Sequence, residues 1–173
     1  MRITFISDTH TKHHEVTDDL PGGDLLIHAG DIMNSGRERY DIKNYCEWFS
    51  GLDQYTHKVF IAGNHDRLFE DDPFDATRMV REYPNISYLE DSFCGIEGLR
   101  IWGSPWQPEF YQWAFNLPRN GEDLREKWSW IPDKLDILVC HTMPFGHLDA
   151  NGNLNVGCEL LRVKTDELRP KIF

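Results

Sequence analysis

The sequence predicts an α/β fold, a largely parallel sheet with helices packed over it. Three observations carry that expectation. Short apolar runs recur along the chain, each followed by polar loop residues. Between them lie segments whose apolar residues recur at spacings of three and four, the period of a helix buried on one face. Four of the apolar runs lead into Asp8-Thr9-His10, Gly30-Asp31, Gly63-Asn64-His65-Asp66 and His141-Thr142-Met143-Pro144. Open α/β sheets gather their ligands in that place, beyond the carboxyl ends of the strands.

The elements follow in order. Residues 3–6 read as a first strand and residues 24–29 as a second. Residues 41–52 read as a helix, with Ile42, Tyr45, Cys46, Phe49 and Leu52 on one face. Residues 58–62 return as a strand. Glu70-Asp71-Asp72 reads as a solvated helix start. Residues 73–83 form the next helix, with Pro73 suited to its first turn and Pro84 marking its end. Across 87–102, β-prone runs flank Gly95-Ile96-Glu97-Gly98, which predicts a hairpin and an antiparallel part of a sheet. Residues 103–132 are rich in Pro, Trp and Asn with little period, apart from a short charged helix near 122–127. A buried strand over 135–140 and a helix over 156–168 complete the chain. With no internal repeat, low-complexity tract or linker, one domain over 1–173 is expected.

Composition narrows the function. Forty per cent hydrophobic and 13% aromatic residues exclude intrinsic disorder. Lys and Arg total 18 against 29 Asp and Glu, a formal charge of −11, which opposes binding to long nucleic acid because that affinity comes from neutralising phosphates. A small anionic substrate fits, since bound metal ions reverse the local field. No charged n-region followed by an apolar stretch opens the chain, and no apolar run approaches the ~20 residues of a membrane helix. A soluble cytoplasmic protein is expected. Cys46, Cys94, Cys140 and Cys158 form no C-x-x-C pair and read as reduced thiols.

The strand-end clusters offer carboxylate, imidazole and amide oxygen, the hard and borderline ligands of divalent metals. Asp8 and His10 lie two residues apart on one loop, Gly30 lets the backbone turn sharply at Asp31, and Asn64 offers an amide oxygen. Two divalent ions ~3.5–4 Å apart would activate a bridging water. Such a donor set suits Mn²⁺, Fe or Zn²⁺, with Mn²⁺ preferred.

Ser7-Asp8-Thr9-His10, Gly30-Asp31, Gly63-Asn64-His65-Asp66 and His141 resemble, in order, the motifs of the calcineurin-like metallophosphoesterase superfamily. Ile101-Trp102-Gly103-Ser104-Pro105-Trp106-Gln107-Pro108, His141-Thr142-Met143-Pro144-Phe145-Gly146 and Gly157-Cys158-Glu159-Leu160-Leu161 are similar to segments of its small branch of metallophosphoesterase-domain proteins. The resemblance implies a four-layer sandwich, two mixed β-sheets flanked by α-helices. It implies that Asp8 and His10 bind one metal, Asn64 and His141 a second, and that Asp31 bridges them. His65 would protonate the leaving oxygen or stabilise its charge, with Asp66 orienting its ring. The superfamily also carries a later Gly-His-x-His motif, and Arg169-Pro170-Lys171-Ile172-Phe173 resembles the start of the strand before it. The expectation is either that the natural chain continues past Phe173 or that this is a damaged or regulatory form; an open sheet edge there would favour a homo-oligomer.

The function expected is a phosphodiesterase or phosphatase acting on a small phosphorylated substrate, a nucleotide or cyclic nucleotide. The alternatives are a nucleotide- or metal-binding relative with little turnover, or a protein-interaction scaffold. His13 on the first loop and His147 after His141 are the candidate substrate contacts, each weighed against a surface role. His28 reads as a core histidine and His57 as structural. Trp102, Trp106 and Trp113 read as packing, with base stacking as the alternative.

Overall fold

The computed structural model describes residues 1–34 and 36–173, with two sheets lying between two layers of helices. The first sheet is fully parallel, in the order β1 (Ile3–Ile6), β2 (Gly23–Ala29), β3 (Tyr55–Ile61) and β4 (Ser87–Tyr88). In the second, β6 (Leu99–Ser104) lies between an antiparallel β5 (Ser92–Ile96) and a parallel β9 (Ile137–Cys140). The flanking helices are α1 (Arg39–Ser50), α2 (Arg67–Asp71) and α3 (Pro73–Val80) on the first sheet, and α4 (Glu122–Ser129) and α5 (Glu159–Leu168) on the second.

Side chains alternate across each strand, so apolar runs of this kind fill two layers at once. Leu25, Ile27, Val59 and Ile61 point between the sheets, where they meet Ile101, Ile137 and Val139. Leu26 and Phe60 point the other way, onto Ile42, Tyr45 and Phe49 of α1 and Ala76 and Met79 of α3. Trp102 and Leu138 leave the far face of the second sheet to pack on Leu124 and Trp128 of α4 and Leu161 of α5. A one-residue slip of any central strand would exchange its two faces. The four-layer sandwich is therefore the observed architecture.

Several boundaries differ from expectation, each for a local reason. The strand expected over 58–62 begins at Tyr55, because Gly23 pairs with Tyr55 and Leu25 with His57. Glu70 and Asp71 end α2 rather than start a helix; Asp72 is the cap, its carboxylate accepting from Asp75 N at 3.1 Å with Pro73 in the first turn. Ser87 and Tyr88 join the first sheet beside Val59 and Phe60, so the hairpin is confined to β5 and β6. It closes at Glu97 and Gly98, both at positive φ (48° and 81°). The last helix starts at Glu159, not 156, because Cys158 is extended and its Sγ accepts from Leu161 N at 3.4 Å.

Elements without a sequence signal also form: a 3₁₀ turn over His13–Asp19, a bridge between β7 (Gln107–Pro108) and β8 (Asn116–Leu117), and a small hairpin of β10 (Ala150–Asn151) and β11 (Leu154–Asn155). All four cysteines are free, with Cys46 and Cys158 buried. Among the described residues no helix is long and apolar enough to cross a membrane.

Candidate metal centre

The loops after β1, β2, β3 and β9 converge. The loop after β1 runs alongside the loop after β2: Asp8 N donates to Gly30 O (3.0 Å), His10 N to Asp31 O (3.0 Å) and Thr11 N to Ile32 O (2.9 Å). That path puts Asp8, His10, Thr11 and Asp31 in the left-handed region, with φ of 55°, 44°, 65° and 59°. Such conformations cost non-glycine residues ~1–2 kcal/mol each, and strain of this kind clusters at functional sites. Two glycines admit the close approach. A Cβ on Gly30 would lie 2.6 Å from His141 Nδ1, and one on Gly63 would meet the Asp31 carboxylate and lie 2.7 Å from His141 Cε1.

Asp31, only 3% exposed, sits at the centre. Its carboxylate lies 3.7 Å from His10 Nε2 and 3.3 Å from His141 Nε2, and accepts from His65 N at 2.8 Å. Asn64 Oδ1 lies 3.1 Å from His141 Nε2. Two overlapping groups have ligand atoms close enough for one ion each: His10, Asp31 and His65, and Asp8, Asp31 and His141. Asp31 belongs to both. Asp8 lies in the group with His141, and His10 in the group with His65.

All three imidazoles are held the same way. His141 Nδ1 donates to Ala29 O (2.8 Å), His10 Nδ1 to Met33 O (3.1 Å) and His65 Nδ1 to Asn34 O (2.6 Å). A carbonyl only accepts, so Nδ1 carries the proton and each Nε2 is left for the site, the orientation that metal-ligating histidines require. Carboxylate, imidazole and amide oxygen in this arrangement fit a divalent ion. Burial opposes the charged form of His141, but the hydrogen bond and charge of Asp31 outweigh it and push its pKa up to about 9. Burial likewise raises Asp31, yet the His141 contacts prevail and hold it below the usual carboxylate range.

Asp66 does not orient His65. Fully buried, its carboxylate accepts from Gly63 N (2.7 Å), Met33 N (2.8 Å) and Ile32 N (3.2 Å). It therefore ties the loop bearing Asp31 to the loop bearing Asn64 and His65. Burial and then the charge of Asp31 raise its pKa to about 7, against those three donors. His28 is buried beneath the site with Nε2 3.0 Å from Thr9 Oγ1, a core histidine as expected. His57 lies apart, 3.4 Å from Glu97.

Neither expected substrate contact joins the cluster. His13 has no exposed surface; its Nε2 meets Asn44 Oδ1 at 2.8 Å and its ring packs on Tyr45 and Trp48, so it cannot touch a ligand. His147 is exposed on the loop after β9, beside Met143 and Pro144. The anchoring carbonyls of Ala29, Met33 and Asn34 are missed by sequence reasoning, since any residue type presents a carbonyl. Trp113, read as packing, lies against His65 with ring centroids 4.0 Å apart.

The calcineurin-like phosphoesterase family model matches residues 1–168. The chain is similar to Metallophosphoesterase domain-containing protein 1 of Homo sapiens, 38% identical over 194 residues that cover 99% of this chain and 58% of that protein. It is also similar to UPF0046 protein C25E10.12 of Caenorhabditis elegans, 36% identical over 189 residues covering 99% of this chain and 66% of that one. The chain thus spans less than two thirds of the length of either relative. Among solved structures, TT1561 of Thermus thermophilus shares the fold, with a TM-score of 0.70 at 15% identity over 97% of this chain and 77% of that one. On sequence and fold together, the chain belongs to the calcineurin-like phosphoesterase family, in the branch that holds the metallophosphoesterase-domain-containing and UPF0046 proteins.

Proposed function

We propose that the protein is a metal-dependent hydrolase of a small phosphoester, a nucleotide or cyclic nucleotide, with residues 1–173 acting as one catalytic domain. The observation that carries this reading is Asp31, shared by two ligand groups whose histidines are all turned inward by backbone carbonyls. Asp8, His141 and Asn64 would hold one divalent ion, His10 the other, with Asp31 between them. When bound, such a pair supplies Lewis acidity and a water acidic enough to act as nucleophile at neutral pH. The nitrogen and oxygen donors suit Mn²⁺, with Fe or Zn²⁺ as substitutes.

His65 is the proton donor in this reading. In its doubly protonated form, with Nδ1–H held by Asn34 O, it passes the Nε2 proton to the leaving oxygen. A water oxygen forms a new bond to phosphorus and gives its proton to solvent, while the P–O bond to the leaving group breaks with its electron pair going to the leaving oxygen. Asp66 keeps the ligand loops together. An acidic surface, net −11, leaves a small phosphoester as the substrate rather than a nucleic acid. Four free thiols suit the cytoplasm.

The test is hydrolysis of bis(p-nitrophenyl) phosphate by the purified protein. Turnover that needs added Mn²⁺ and stops with a chelator is the expected result. No turnover with Mn²⁺, Fe²⁺ or Zn²⁺, on diester or nucleotide substrates, would overturn the reading.

A further inference from the structure

We propose that Trp113 is a positioning residue for His65, fixing the plane of its ring so that Nε2 is aimed at the leaving oxygen; this rests on the phosphoesterase reading above. The indole stacks on the imidazole with centroids 4.0 Å apart and planes 30° from parallel. His10 meets the same ring edge-on, at 4.6 Å and 80°. The hydrogen bond from Nδ1 to Asn34 O settles which nitrogen faces outward, but one bond leaves the ring free to tilt about its own direction. A flat partner removes that freedom.

A tryptophan can do this only if its own loop is held, and the loop from β7 to β8 is held at both ends. At its base, Gln107 N donates to Phe115 O (3.0 Å) and Glu109 N to Leu117 O (2.8 Å). The Asn116 side chain spans the inside, accepting from Gln107 Nε2 (3.1 Å) and donating to Phe110 O (3.0 Å) and Tyr111 O (3.1 Å). Ala114 and Phe115, both fully buried, anchor the returning strand in the core.

At its tip, the residues flanking Trp113 are tied to residues flanking His65. Ala114 N donates to Asn64 O (3.0 Å), and the Arg67 guanidinium donates to Gln112 O. The two short segments are therefore joined on either side of the stacked pair. A core tryptophan would have no need of these links, and Trp113 is only half-buried.

The test compares Trp113→Ala, Trp113→Phe, His65→Ala and the double variant Trp113→Ala/His65→Ala, all loaded with Mn²⁺. Misplacing a reacting group by ~1 Å can cost ~10²-fold, so Trp113→Ala should lower kcat by ~10–100-fold while KM stays within about twofold. The loss should be larger for a dialkyl phosphodiester, whose alkoxide must be protonated as it leaves, than for bis(p-nitrophenyl) phosphate, whose p-nitrophenolate needs little protonation. Trp113→Phe should recover most of the rate. In the His65→Ala background the tryptophan change should add no further loss.

Two results overturn the proposal: an equal fold-loss in both backgrounds, or a raised KM with kcat unchanged, which would mean that the indole stacks on substrate instead. The ring-proton NMR signals of His65, recorded on the metal-free proteins, give a readout that needs no turnover. They should sit upfield under the indole in the parent and move downfield in Trp113→Ala. Unmoved signals overturn the clamp, whereas a protein that turns over no phosphoester yet shows the shift keeps the clamp and loses the hydrolase reading.

Discussion

Replacing Asp66 with alanine should destabilise the fold by an amount that depends on pH in a defined direction. The carboxylate accepts three backbone N–H groups, from Gly63, Met33 and Ile32, in a fully buried position. Truncation strands those donors, at ~1–3 kcal/mol each for an unsatisfied buried group. A water entering the vacated space would satisfy one of them, so the net loss at pH 5.5 should be about 3–5 kcal/mol. The folded-state pKa is raised to about 7, so between the unfolded value of 3.8 and that point the native state holds a proton the unfolded chain lacks. Stability contributed by that proton is present below the unfolded pKa and is lost as pH rises through the folded one.

The wild type therefore loses about 2 kcal/mol relative to the variant between pH 5.5 and 7, at ~1.4 kcal/mol per pH unit, and nothing further above it. Urea unfolding of both proteins with chelator present, at pH 5.5, 6.5 and 7.5, measures the difference. Every other titrating group is common to both chains, so the difference isolates Asp66. A gap below about 1 kcal/mol at pH 5.5 would refute the role given to the three donors. A gap that stays constant from pH 5.5 to 7.5 would show that the donors outweigh burial and that Asp66 is ionised in the fold.

Asp31→Ala should abolish Mn²⁺ binding in calorimetry, because the residue is shared by both ligand groups. His65→Ala should keep the metal and lower turnover by ~10²–10⁴-fold; metal loss as severe as in Asp31→Ala would make His65 a ligand. Gly63→Ala should leave the far-ultraviolet circular dichroism intact but weaken Mn²⁺ binding at least tenfold, since the added methyl meets the Asp31 carboxylate and His141. Below pH 6.5 the metal-free protein should lose stability steadily. Burial lowers the pKa of His28 to about 3 and of His13 to about 4, so the unfolded chain takes up protons that the fold does not. His13→Gln should flatten that slope between pH 6.5 and 4 in urea unfolding, and an unchanged slope would show that His13 already charges in the fold.

What the sequence disclosed were features written in single segments. Leu25-Leu26-Ile27 and Val59-Phe60-Ile61 are apolar on both faces, which only a strand buried between two layers requires. Among the candidate ligands, Asp31 and Asn64 stood out because Gly30 and Gly63 punctuate the runs before them. Features set by partners far along the chain stayed hidden. His13 has the look of a loop histidine until Asn44, on α1, accepts its ring nitrogen. The resemblance made Asp66 the partner of the His65 ring, yet two of its three donors, Ile32 and Met33, come from backbone that only the fold brings near. The stretch around Trp113 has no period to read, and its order comes from the side chains of Asn116 and Gln107 and from the link to Asn64.

The segment from Ala29 to Asn34 organises the whole centre. Its carbonyls at Ala29, Met33 and Asn34 hold three imidazoles, its Asp31 is common to both ligand groups, and its amides at Ile32 and Met33 are gripped by Asp66. The four left-handed residues in and beside it store several kcal/mol, at ~1–2 kcal/mol each. Backbone bonds from Asp8, His10 and Thr11, and the Asp66 grip, offset that strain before any ion arrives. Ligands held in this way lose little freedom on taking up metal, so affinity is not spent on ordering loops. A protein using the fold only as a scaffold gains nothing from such strain, because its partners would read the outer surface. Sensitivity should therefore extend past the proposed ligands: replacing residues that only hold the segment, Asp66 foremost, should also weaken metal affinity.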